Sequence, residues 1–319
     1  MCQPPQRQIP VIIDPIETLV QQVQAKNPRA IARAITLVED HDSRAGQLLS
    51  ALDPQSIEEM TVIGITGPPG AGKSTLTGRL IARFRSEGRR VGIIAIDPSS
   101  PISGGAILGD RVRMMEHALD GDVIVRSMAT RGRLGGLCAA AGAAMRIMAA
   151  GGCSVILIET VGVGQSEMDI ISLADITLLV LAPGLGDEIQ AMKAGLLEVA
   201  DLLVVNKSDS PGAETLTLEM ETAAHDRSQV WQTDALTGKG VAELTSRLIA
   251  LDREHRSDGT RSKRRGQAHE REVIDWAIEL LRPQLSSAAK AMDCRQSADP
   301  RQLAQELLSA LELKANPDI

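Results

Sequence analysis

GPPGAGKST, residues 67–75, stands between the apolar run TVIGIT (61–66) and the helical run TLTGRLIARF (75–84). It fits GxxxxGK[ST], and a strand before and a helix after are the context this pattern needs. Gly67, Gly70 and Gly72 let the backbone turn so that successive N–H groups point inward, and the helix N-terminus adds a partial positive charge. A loop of this build cradles phosphate oxygens. Gly67, Pro68, Pro69, Gly70, Ala71, Gly72, Lys73, Ser74 and Thr75 are therefore the nucleotide-binding candidates. Lys73 supplies a mobile charge for the β- and γ-phosphates and is a catalytic candidate; the Ser74 hydroxyl is a candidate Mg²⁺ ligand.

Working outward, VGIIAI (91–96), DVIVRS (122–127), SVILIE (154–159), ITLLVL (176–181) and DLLVVN (201–206) are near-continuous apolar runs, with QVWQTDA (229–235) as a last strand. Strands buried on both faces look like this, in parallel sheets covered by helices. The fold class is α/β: a P-loop NTPase domain over 59–255 with a mostly parallel central sheet. Ahead of it, residues 1–58 read as three short helices. Asp14-Pro15 gives the first an N-cap and a proline at its first position, Asn27-Pro28 repeats that signal, and Ala45, Leu48, Leu49 and Leu52 make a third apolar stripe. RSDGTRSKRRGQ (256–267) reads as a polar flexible link, and Lys263-Arg264-Arg265 as solvated charge within it. Beyond it, over 268–319, come two helices: one with a stripe of Val273, Ile274, Ala277, Ile278 and Leu281 ended by Pro283, and one starting at Asp299-Pro300. A tail with such faces is either a lid on its own domain or a dimer interface.

Composition narrows the partners. The formal charge of −7 argues against nucleic acid, and so does an aromatic content of 1% with no Tyr. No apolar run is long enough to span a bilayer and MCQPPQRQIP lacks a signal-peptide core, so a cytoplasmic protein without a membrane partner is expected. Cys2, Cys138, Cys153 and Cys294 are scattered, and the five histidines are isolated, so no zinc or nickel site assembles from local spacing.

Mg²⁺ needs further oxygen ligands. Asp97 follows VGIIAI, Asp110 lies in ILGDRVRM, and Glu159 ends SVILIE; strand ends at the carboxyl edge of a parallel sheet face the crevice of the phosphate loop. NKSD (206–209), after DLLVV, has the form N-K-x-D. Asp209 can accept from the ring N–H and the exocyclic amine of guanine, Asn206 can serve the opposite edge, and the stem of Lys207 can lie across the base. Adenine lacks that ring donor and would leave a buried carboxylate unpaired, which favours GTP. TDALTGKG (233–240) adds backbone contacts from Ala235 and Leu236. The expected cofactors are GTP or GDP and Mg²⁺, and the expected activity is GTP hydrolysis.

DPSSPISGGAILGDRVRM, ETVGVGQSE, GLGDEIQAMKAG and NKSD, in this order, resemble the MeaB/ArgK-type GTPases, and the resemblance covers nearly the whole chain. These are G-protein chaperones of adenosylcobalamin-dependent acyl-CoA mutases, usually methylmalonyl-CoA mutase. The resemblance implies Ser74, Asp97, Asp110 and Glu159 around Mg²⁺, a dimerisation arm in the two-helix tail and hence a homodimer. It also implies a mobile third switch in GLGDEIQAMKAG, whose Asp187, Glu188 and Lys193 form or release ion pairs. Glu159 counts among the catalytic candidates. Two more are Gln165, displaced by two residues from the usual water-positioning place, and Arg113, a candidate internal arginine finger. Asp234 stands where Ser is more usual. No DxHxxG cobalamin signature accompanies these motifs, so the chaperone would act in trans. The rival readings are a GTP-dependent metallochaperone, a kinase acting on a transport component, and a signalling or translation GTPase.

Overall fold

The computed structural model describes residues 15–97, 119–129, 134–160, 172–185, 196–224, 226–291 and 299–310. Among them are seven strands, all parallel: β1 (Thr61–Thr66), β2 (Val91–Asp97), β3 (Val123–Ala129), β4 (Val155–Thr160), β5 (Ile176–Leu181), β6 (Leu202–Val205) and β7 (Val230–Gln232). Their order across the sheet is β3-β2-β4-β1-β5-β6-β7. The expected α/β architecture is what the chain adopts.

Both faces of the central strands are buried, by strict alternation. Val62, Ile94, Ile96, Ile156 and Ile158 face one apolar cluster, and Ile63, Ile65, Ile93, Leu157 and Leu178 face another. The second cluster is closed by α5 (Lys73–Ser86), through Leu76, Leu80 and Phe84, and by α9 (Val241–Ser257), through Leu244 and Leu248. The first is closed by α6 (Leu134–Ala150) and by the leading helices α1 (Ile16–Gln24), α2 (Pro28–Glu39) and α3 (Ala45–Ser50). Leu19, Val23, Ile31 and Ile35 thus share one core with the sheet. A smaller cluster lies under α7 (Leu196–Val199) and α8 (Ala213–Ala223).

Helix starts follow their capping chemistry. The Asn27 side chain accepts from the N–H groups of Arg29 (2.9 Å) and Ala30 (3.3 Å), with Pro28 behind it. A fourth leading helix, α4 (Pro54–Glu59), uses the same device: Asp53 accepts from Gln55 and Ser56. It escaped the periodicity reading because none of its residues is buried. In α1 the cap position is Pro15, one place later than expected, and no side chain caps it.

The stretch expected as a flexible link is helix. α10 (Thr260–Ala291) begins inside it, and its first turns are pinned to the amino edge of the sheet. Arg265 makes a two-pronged contact with Asp175 (2.8 and 2.9 Å), which also accepts the Val62 N–H at 2.9 Å. Arg264 grips Asp201 (2.7 and 2.8 Å), which holds its guanidinium above the ordinary value. Arg261 is 2% exposed and donates to the Met60 carbonyl at 2.6 Å; burial pushes its guanidinium below the ordinary value. The basic run is docked because its carboxylate partners lie 60 to 90 residues earlier, beyond the reach of a local reading. Nor does Pro283 end the helix: α10 runs through it to Ala291. Midway, Glu272 holds Arg146 of α6 at 2.7 and 2.5 Å, and Trp276 meets His41 edge to face at 5.9 Å. The last described helix is α11 (Pro300–Ala310).

Among the described residues no helix is long and apolar enough to cross a membrane.

Candidate functional site

A cavity of about 580 Å³ opens at the carboxyl edge of the sheet, where the loops after β1, β4, β6 and β7 meet. Its lining brings together Pro69, Gly70, Gly72, Lys73, Ser74 and Thr75 from one side and Asn206, Lys207, Asp209, Ala235 and Leu236 from the other, with Glu159 between. Three predicted residues of the phosphate loop stand behind it. The Gly67 and Pro68 carbonyls accept from Lys73 Nζ at 2.7 and 3.1 Å, and buried Ala71 turns its carbonyl to Asn206.

Two glycines of the loop are irreplaceable on geometry. Gly67 (φ +141°) would place a Cβ 2.0 Å from the Val180 carbonyl oxygen, and Gly72 (φ +90°) would place one 2.3 Å from Asn206 Nδ2. The loop therefore lies against β5 at Gly67 and against the NKSD segment at Gly72, with no room for a side chain at either position. α5 starts at Lys73, so its free N–H groups face the cavity.

Sheet register sets the acidic wall. Glu159 lies opposite Ile65 of β1 and Ala95 of β2, so it sits between the strand that feeds the phosphate loop and the strand that ends in Asp97. It is 5% exposed, and Ser74 Oγ donates to its Oε1 at 2.5 Å. These are hard oxygen donors. Adjacent ligands of an octahedral Mg²⁺ stand about 2.9 Å apart, so a small separation of the pair admits the ion. Asp97 is described by its backbone alone, in register with Ala129 at the same edge. Asp110, Arg113, Gln165, Asp187, Glu188 and Lys193 lie outside the described residues.

The amide of Asn206 is turned to the protein: Nδ2 donates to the Ala71 carbonyl (2.9 Å), while Oδ1 accepts from the Ala235 N–H (3.0 Å) and from Thr233 Oγ1 (3.1 Å). Asn206 is thus a tie between the phosphate loop and loop 233–240. Lys207 is exposed and holds a left-handed backbone (φ +56°), a conformation that a non-glycine residue adopts only when its surroundings impose it. Asp209 is exposed on the cavity wall. The Leu236 N–H is received by Asp234 Oδ1 at 3.0 Å, and the Thr237 hydroxyl, donating to the other oxygen, holds the Asp234 carboxyl below its ordinary value. Asp234 therefore braces the loop from within, a role that Ser could fill only in part.

Three side groups escaped the sequence reading. Thr160 lines the cavity and donates to Thr66 at 3.2 Å beneath it, and Ser210 lines it beyond Asp209. Arg79, on α5, reaches loop 233–240: its Nε donates to the Ala235 carbonyl at 2.9 Å and its Nη2 to the Leu236 carbonyl. Thr160 was legible as the neighbour of Glu159. Arg79 carried no local signal, because its partners lie more than 150 residues away.

The family model described as methylmalonyl Co-A mutase-associated GTPase MeaB matches residues 31–293. A Pyrococcus horikoshii protein named as a GTPase is 45% identical over 271 residues, 82% of this chain and 85% of that one. The mitochondrial methylmalonic aciduria type A homolog of Mus musculus is 35% identical over 269 residues, 76% of this chain and 65% of its own. Among solved structures, that of an LAO/AO transport system kinase matches with a TM-score of 0.65 at 25% identity, covering 93% of this chain and 97% of that one.

Proposed function

We infer the function from one premise: the chain belongs to the MeaB family of methylmalonyl-CoA mutase-associated GTPases. We propose that it is a slow, Mg²⁺-dependent GTPase whose nucleotide state governs its grip on an adenosylcobalamin-dependent acyl-CoA mutase. On this reading it gates cofactor loading and protects the loaded enzyme. The observation that carries the nucleotide part is the meeting of phosphate loop, Ser74–Glu159 pair and Asp209 around one cavity. The mutase part is supported by the family description and by the mouse relative's name.

In this mechanism the loop N–H groups and Lys73 hold the β- and γ-phosphates, and Lys73 leaves the Gly67 and Pro68 carbonyls to do so. Ser74 and Glu159, with Asp97 and Asp110, would hold Mg²⁺. When bound, Mg²⁺ offsets the charge on the transferring phosphoryl oxygens. Asp209 reads the guanine edge and Lys207 covers the ring, while Ala235 and Leu236 border it; Asn206 acts through the two loops it ties. Arg113 and Gln165 are assigned to transition-state charge and to water. Asp187, Glu188 and Lys193 are assigned to a switch that responds to nucleotide and partner. Binding of the client differs between nucleotide states, so fast chemistry is not required. The parts divide by role into leading helices (1–58), GTPase domain (59–255) and a C-terminal arm (268–319) that joins two copies. An uncovered stripe on α10 supports the arm: Val273, Ile274 and Ile278 are 55%, 53% and 46% exposed.

The test is GTP turnover by the purified protein, alone and with an adenosylcobalamin-dependent acyl-CoA mutase from the same cell. A low basal rate that rises with mutase, and no comparable ATP turnover, is expected. A rate indifferent to mutase removes the client. Transfer of the γ-phosphate to a protein acceptor instead of water favours the kinase reading.

A further inference from the structure

We propose that Arg79 is a positioning residue that fixes the base loop from the phosphate helix and so sets how long a guanine nucleotide stays bound. This deepens the function proposed above and rests on it.

Loop 233–240 is braced from inside by Asp234, which takes the Leu236 N–H and the Thr237 hydroxyl, and by the Asp234–Lys239 bridge. Among the described residues, the end of β6 and the segment after it hold the start of the loop: Val205 accepts the Thr233 N–H, the Ser208 N–H donates to the Thr233 carbonyl, and Asn206 accepts from Thr233 and Ala235. The Ala235 and Leu236 carbonyls, at the next step of the loop, are held by Arg79. Arg79 lies six residues beyond Lys73, about 9 Å along the axis of α5. It donates to two consecutive carbonyls, those of Ala235 and Leu236. In a trans peptide the N–H points opposite to the C=O. Drawing both carbonyls towards α5 therefore turns the N–H groups of Leu236 and Thr237 away from it. A planar fork, whose two donors are fixed in one plane, sets that orientation more narrowly than an ammonium, whose donors rotate. The helix that presents Lys73 and Ser74 to the phosphates thus also determines where the loop beside the base lies. Phosphate and base are held by one rigid piece.

The experiment compares Arg79→Ala, Arg79→Lys and wild type by release of a fluorescent GDP analogue chased with unlabelled GDP, and by steady-state GTP turnover. Arg79→Ala is expected to release the analogue roughly 10-fold faster, the size expected for losing a charged hydrogen-bonding fork. KM for GTP should rise by about the same factor while kcat stays within about 2-fold, because the phosphate loop is untouched. Arg79→Lys should fall between, with one donor group in place of two. If Arg79→Ala does not fold, Arg79→Lys alone decides through its release rate. Release and KM within about 2-fold of wild type in a folded variant would overturn the proposal. So would a loss confined to kcat, which would mean damage to the phosphate side. A wild-type chain that binds no guanine nucleotide would overturn the GTPase reading as well, so the two failures are distinguishable.

Discussion

Asn206 gathers three hydrogen bonds into one buried amide, and its partners lie on two loops: Ala71 on one, Thr233 and Ala235 on the other. Asn206→Ala leaves buried polar groups unpaired on two loops, a loss of about 2–3 kcal/mol. The expected outcome is a lower urea midpoint together with weaker GDP binding, both measurable on the same sample. Gly67→Ala should be harsher, at least about 3 kcal/mol, since its Cβ would meet the Val180 backbone at 2.0 Å. At Asp234 the sign of the pH effect follows from the Thr237 hydroxyl, which holds the folded carboxyl below its ordinary 3.8. Its stabilising contribution is present above 3.8 and is lost as pH falls through the lower, folded value. In Thr237→Val the Asp234 titration midpoint, followed by NMR, should move up towards 3.8. At this scale the sequence was legible where one segment contains its own explanation, as in GPPGAGKST and NKSD. It was silent where a side chain works on a distant backbone, as Arg79 does, and at Asn206 it gave no sign of the ties to Ala71, Thr233 and Ala235.

Secondary elements were legible through burial. ITLLVL and TVIGIT are strands with the bounds their apolar runs predict, because both of their faces are covered. α10 was not legible, since its opening charges look solvated until Asp175 and Asp201 are placed beside them. Asp175 is 2% exposed and neutralises Arg265 with Arg261 close by, so Asp175→Ala leaves cationic groups without their counter-charge in a buried setting. We expect a loss of about 3–5 kcal/mol, read as a shifted urea midpoint at unchanged slope. At the other end of the same helix, Pro283 lacks the N–H that would reach back one turn, and it is exposed. Pro283→Ala restores that bond and removes a ring clash, which together cost up to about 3 kcal/mol in a helix interior. Slower amide exchange over residues 284–291 is the expected reading.

Taken whole, the molecule is one sheet with ligand-facing loops at its carboxyl edge and the α10 junction bolted to its amino edge. If the uncovered stripe of α10 joins two copies, Ile274→Asp with Ile278→Asp should convert a dimer to a monomer in sedimentation while GTP turnover alone persists. The leading helices are no appendage, because Leu19, Val23, Ile31 and Ile35 lie in the same cluster as Ile94, Ile156 and Met148. That shared core has a consequence in time. On a ribosome α1 and α2 emerge ahead of α6, which buries them and is made roughly 110 residues later, about 6–20 s at ordinary synthesis rates. For that interval the apolar surface of α1 and α2 that α6 will cover is in the open. Newly made chains halted before residue 150 should therefore be cut readily within α1 and α2 and be bound by general chaperones, and longer ones should resist. A protein proposed to guard the assembly of another enzyme is itself, for the first part of its life, in need of guarding.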